Sequence, residues 1–270
     1  MNETDGTDVP FAETDGARVH YETYGRGIPV ILVTGLNGTV SFWDRLVQLM
    51  GDGYRTIAID NRGAGLTEYH GPFSMSDMAD DARCIMDAEG IASAHLVGWS
   101  MGSHISLNLA ARHPGRIRSL TLVSSMTRTP SRSSYILTSM AKKLRDGEID
   151  DETVGMVMNV LLRTEGFFRS AEEEGREIRI HSTDNRRGMF DQMSAVESYD
   201  PIRDAESITV PTLSIHGTED IMVPVGFGDA LARIVPGCRS LRIDGEGHII
   251  RPERYVGELE RFVRENDTDE

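Results

Sequence analysis

Gly98-Trp99-Ser100-Met101-Gly102 sets a serine between two glycines in the spacing G-x-S-x-G, after an apolar run and before a helix-period segment. The spacing alone is weak, because this composition yields about 0.2 such matches by chance, so its setting carries the weight. A strand-to-helix turn that tight lifts the Ser100 hydroxyl out of a sheet edge, and a β-carbon at either end would strike neighbouring backbone. A serine hydroxyl is a poor nucleophile at neutral pH and needs a general base. After such an elbow the chain order is acid, then histidine. Asp220 closes His216-Gly217-Thr218-Glu219-Asp220, which follows the apolar run 211–216, and His248 closes Gly245-Glu246-Gly247-His248, which follows the run 240–243. Ser100, Asp220 and His248 thus converge from three strand ends, the crevice where open α/β sheets hold ligands. His248 would take the Ser100 proton and return it to the leaving group, while Asp220 orients the imidazole and stabilises its protonated form. Glu219 is the local rival for the acid.

Acyl transfer also needs donors for the developing oxyanion. Met101 N–H follows the nucleophile at a helix N-terminus, where the dipole favours negative charge. The second donor falls in Thr34-Gly35-Leu36-Asn37-Gly38, after another apolar run, and Leu36 N–H fits because Gly35 lets the backbone turn inward. Trp99, Met126 and Met222 lie next to these elements and are the candidate substrate contacts. His216 reads as a packed residue at a strand end, and His104 as a residue pointing along the new helix. His20, His70 and His181 have no partner pattern, and no H-E-x-x-H or comparable spacing points to a metal. Arg163, Arg186 and Arg187 suit a substrate carboxylate or surface salt bridges, the latter being the commoner use.

The elements that must position these groups are short. Apolar runs at 29–34, 55–60, 95–98, 119–123, 211–216 and 240–243 read as strands of a mostly parallel sheet, alternating with helix-period segments. Residues 11–14 and 18–24 flank Asp15-Gly16 and read as an antiparallel hairpin. Met75, Met78, Ala82, Ile85 and Met86 mark a helix begun by Ser74 and Asp77; residues 103–112 form another, stopped by Pro114, and Val256, Leu259, Phe262 and Val263 mark a last one. Residues 127–207 break the alternation, with helical candidates at 135–145, 151–163 and 187–196 and no strand. The expected organisation is a core of 1–126 and 208–270 carrying a helical cap of 127–207. Most methionines of the cap are expected to fill its own core.

The chain has 270 residues and a net charge of −15, which repels phosphate backbones and anionic lipid. Neither nucleic acid nor a membrane surface is an expected partner. Cys84 and Cys238 are the only cysteines, too few for a disulfide framework or a cysteine zinc site. The first residues are polar and acidic, unlike a signal peptide, and no run approaches 18 apolar residues. The expectation is a cytoplasmic protein that needs neither cofactor nor metal.

Together the elbow, the acid loop 216–224, the histidine loop 245–248 and Asp60-Asn61-Arg62-Gly63-Ala64-Gly65, which is similar to a D-x-R-G-x-G turn, resemble the α/β-hydrolase superfamily and its small capped esterases and lactonases. The resemblance implies an α/β-hydrolase fold, with helices on both sheet faces and a cap. It also implies a serine hydrolase that cleaves a small carboxylic ester or lactone through an acyl-serine. Segment 189–202 and the Ser-Met-Gly elbow resemble enol-lactonases. Carbon–carbon bond hydrolases and cofactor-free haloperoxidases or perhydrolases share the triad, as do receptors of this fold that only bind. Two departures stand out: Thr34-Gly35 replaces the His-Gly of many relatives, and Ser103 replaces a second glycine. A dinucleotide-binding reading fails, because Gly35 and Gly38 have the wrong spacing.

Overall fold

The computed structural model describes residues 10–178 and 185–267. The chain opens on the expected hairpin, β1 (Phe11–Thr14) and β2 (Ala17–Tyr24), then enters β3 (Ile28–Val33) and β4 (Tyr54–Ile59). A two-residue strand, β5 (Glu68–Tyr69), pairs with β2, and β6 (Ala94–Trp99), β7 (Ile117–Val123), β8 (Thr212–Gly217) and β9 (Arg239–Ile243) follow. Among the described residues these nine strands form one sheet in the order β1-β2-β4-β3-β6-β7-β8-β9. From β4 to β9 every neighbour is parallel. The C-terminal ends of β3, β6, β8 and β9 therefore share one edge.

Helices α1 (Asp44–Met50), α2 (Met75–Ala88) and α3 (Met101–Arg112) lie between these strands. Ser74 and Asp77 start α2 with a reciprocal capping box, as their spacing predicts. Between β7 and β8 run α4 (Ser131–Arg145), α5 (Asp151–Leu162), α6 (Glu165–Glu173), α7 (Arg186–Glu197) and α8 (Pro201–Ser207). Two more, α9 (Val225–Ile234) and α10 (Val256–Glu265), complete the chain.

The strand alternation sorts the core into two layers. Ile31, Val33, Leu96 and Leu120 face α2 and α3, while Val30, Leu32, Val97 and Ile215 face α1 and α10. A third cluster belongs to the inserted helices: Leu137, Met140, Leu144, Met189 and Met193 pack with Met126 and Met222 from the sheet edge. Three of the five methionines at 140–193 are thus buried, whereas Met156 is exposed. Helix α8 buries Ala205 in the sheet-side core instead. His181 lies outside the described residues. None of the described helices is long and apolar enough to cross a membrane.

Candidate active site

Ser100 follows the last residue of β6 in a backbone conformation that side chains rarely adopt, φ 54° and ψ −118°, and α3 begins at the next residue. The turn is held where Ser100 N–H donates to Val123 O at 2.9 Å. Gly98 and Gly102 make it possible: a β-carbon on Gly98 would lie 2.4 Å from Gly102 O, and one on Gly102 would lie 2.1 Å from Val33 O. The helix starts two residues earlier than its periodicity suggests, because the elbow itself supplies the first turn.

Ser100 Oγ and His248 Nε2 are 2.8 Å apart, and His248 Nδ1 lies 2.7 Å from Asp220 Oδ2. Since the carboxylate only accepts, Nδ1 carries the proton and Nε2 presents its lone pair to the serine. The side chains of Asp220 and His248 are almost fully buried, whereas Glu219 is exposed, and no described hydrogen bond or ion pair joins its side chain to His248. Burial pushes the Asp220 carboxyl up. The neighbouring His248, the hydrogen bond from His216, that from His248 and the Val223 N–H outweigh it and pull the group down to about 2.

The sequence understates His216. Its Nε2 donates to Val223 O at 2.8 Å and stands 3.2 Å from Asp220 Oδ2, so it braces the acid loop as well as packing. The two loops interlock beside it: Glu219 N–H donates to Glu246 O at 2.9 Å, and a β-carbon on Gly217 would lie 2.2 Å from that same oxygen. Trp99 Nε1 and Ser124 Oγ both donate to His248 O, at 2.9 and 2.8 Å.

The loop after β3 stands beside the elbow, with the Gly35 backbone against the Trp99 ring. In place of a histidine, Thr34 anchors it. Thr34 Oγ1 donates to Gly38 O at 3.0 Å, and Asn61 Nδ2 donates to Thr34 O at 2.9 Å. Met101 N–H belongs to the first turn of α3, where amides lack intrahelical acceptors. No described hydrogen bond uses Leu36 N–H, while the next amide, Asn37 N–H, donates to Gln192 Oε1 of α7 at 2.8 Å.

Residues 28–255 match the α/β hydrolase fold family. The chain belongs to that family. It is 26% identical over 243 residues to the protein named carbamate hydrolase RutD of Azorhizobium caulinodans, covering 89% of this chain and 91% of the relative. It is 28% identical over 285 residues to non-heme chloroperoxidase CPO-A1 of Kitasatospora aureofaciens, with 95% and 98% covered. The crystal structure of the enol-lactonase from Burkholderia xenovorans LB400 superposes with a TM-score of 0.84 at 25% identity, with 94% of this chain and 100% of that chain covered.

In this α/β-hydrolase chain a cavity of about 40 Å³ opens at Ser100, beneath α4, α5 and α7. Leu36, Trp99, Met101, Met126 and Met222 all line it, together with Met158 and Leu162 from α5. His104 lines it too. Burial lowers its pKa against the opposing effect of a hydrogen bond to Met126 O at 2.9 Å. The three arginines are elsewhere: Arg163 stacks on Phe167 with its guanidinium 4.1 Å from the ring centre, Arg187 pairs with Asp191, and Arg186 approaches Gly147. Among the described residues no cluster of three histidine, cysteine or acidic side chains could hold a metal.

Proposed function

We propose that the chain is a serine hydrolase cleaving a small carboxylic ester or lactone through an acyl-Ser100 intermediate. The observation that carries this reading is the unbroken line of contacts from Ser100 Oγ through both His248 nitrogens to Asp220, opening on an apolar cavity. Ser100 Oγ attacks the carbonyl carbon as His248 Nε2 takes its proton, and Asp220 stabilises the imidazolium that forms. Leu36 N–H and Met101 N–H donate to the oxyanion. His248 then gives the proton to the leaving oxygen, and in a second cycle it activates a water that releases the acid. A Ser100 hydroxyl already 2.8 Å from its base needs no cofactor for this chemistry.

The size of the cavity bears on the substrate. About 40 Å³ holds roughly three water-sized groups, which suits a short acyl chain against Trp99, Met126 and Met222. Residues 127–207 act in this reading as a cap that closes over the bound substrate. A carbamate or a lactone presents the same carbonyl geometry to Ser100, and relatives named for both are similar to this chain over most of its length.

A panel of chromogenic esters and lactones, run beside Ser100→Ala, tests the proposal. Turnover that falls with lengthening acyl chain and vanishes in Ser100→Ala is expected. Binding of panel compounds by the folded chain without Ser100-dependent turnover would make it a receptor and overturn the reading.

A further inference from the structure

Gln192 is fully buried although it sits in the middle of α7, a helix of the 127–207 insertion. Its side chain leaves the insertion and enters the sheet edge. Gln192 Nε2 donates to Arg62 O at 2.7 Å, and Gln192 Oε1 accepts from Asn37 N–H at 2.8 Å. The orientation of the amide is fixed by its partners, since a backbone carbonyl can only accept and a backbone N–H can only donate. Asn37 itself has φ 61°, a conformation that asparagine tolerates but that must be held in place.

The same helix is seated firmly at that point. Gly188 of α7 meets Gly63 backbone to backbone, so close that a β-carbon on Gly188 would lie 1.9 Å from Gly63 O. Gln192 therefore ties the loop after β3 and the turn at 60–65 to one rigid helix. The amide it occupies is the immediate neighbour of Leu36 N–H.

We propose that Gln192 is a positioning residue for the oxyanion loop: by holding Asn37 N–H and Arg62 O, it keeps the Leu36 N–H aimed at the substrate oxygen. This rests on the hydrolase reading above. The inserted helices then do more than cover the cavity, because α7 completes the electrostatic part of the site from outside the sheet. A donor misplaced in this way weakens the transition state and leaves the ground state almost untouched.

Gln192→Met keeps the length of the side chain and removes both hydrogen bonds. It is expected to lower kcat by about 10- to 100-fold with KM within about twofold, below the loss from deleting an oxyanion donor outright. A boronic acid that forms a tetrahedral adduct on Ser100 should bind weaker by a matching factor. A fall in kcat with boronate affinity unchanged, or no fall at all, overturns the proposal. Amide hydrogen exchange gives a reading that needs no turnover. Asn37 N–H should be protected in the wild-type chain, and this measurement stands even if Gln192→Met does not fold. Exchange at Asn37 as fast as in an exposed loop overturns the proposal, whereas absent ester turnover with Asn37 protected counts against the hydrolase reading alone.

Discussion

The sheet edge and the inserted helices are held by different means. At the edge, adjacent loops share backbone hydrogen bonds: Ser100 N–H to Val123 O, Ser124 N–H to Ile215 O, Thr218 N–H to Ile243 O and Glu219 N–H to Glu246 O. These bonds fix the Ser100 turn directly and tie together the loops that carry Asp220 and His248. The insertion reaches the edge through separate points, among them Gln192, Tyr69 Oη donating to Asp191 Oδ2 at 2.8 Å, and Ile249 N–H donating to Leu162 O at 3.0 Å. The edge carries Ser100, Asp220 and His248, while the insertion roofs the cavity and touches the loop after β3 through Gln192. Substitutions in the two regions should therefore fail in different ways.

The largest separation is expected at the acid. Asp220→Asn reverses the hydrogen-bond logic of the imidazole and should cost on the order of 10⁴ in kcat with little change in KM. Glu219→Gln, one residue away and exposed, should stay within about twofold of wild type. Steady-state kinetics on the two variants check this, and similar effects would remove Asp220 as the acid.

A smaller effect separates the regions by pH. The Asp220 carboxyl titrates near 2, below its ordinary 3.8, so its contribution to stability is complete above about 3.8 and is lost as pH falls through about 2. The contribution is about 2 kcal/mol. Urea unfolding between pH 4 and 2 should thus show a steeper loss in the wild-type chain than in Asp220→Asn, and equal slopes would contradict the assignment.

The cavity roof should respond in selectivity. Met158→Ala enlarges the space under α5 and is expected to raise kcat/KM for longer acyl esters relative to acetyl by roughly tenfold. The catalytic pH profile should not move. Smallest of all, Arg187→Ala removes an exposed guanidinium from the mostly buried Asp191, which Tyr69 Oη still holds, and should change unfolding free energy by less than about 1 kcal/mol and kcat not at all.

These regions also differ in how far the sequence discloses them. Strand 29–34 is observed as Ile28–Val33 and strand 240–243 as Arg239–Ile243, because short apolar runs between turn residues leave little choice of boundary. Ser100, Asp220 and His248 are legible for the same reason: each stands at a fixed offset from a strand end. The missed elements are β5, with two residues, α6 and α8, which are short and mixed in polarity, and α9, whose first turn carries the helix-weakening Gly226 and Gly228. Gln192 reads as an ordinary polar position in a helix. Its signal was the stripe of Met189, Met193 and Val196, into which it falls at helical spacing. For His216, the signal was its separation of four residues from Asp220, which a strand-end turn converts into contact.

Covalent trapping would identify Ser100 as the nucleophile. A fluorophosphonate should add once to the wild-type chain, with the adduct mapped by mass spectrometry to Ser100, more slowly to Asp220→Asn and not at all to Ser100→Ala. A folded wild-type chain that stays unlabelled, or an adduct that persists in Ser100→Ala, would rule out Ser100 as the nucleophile.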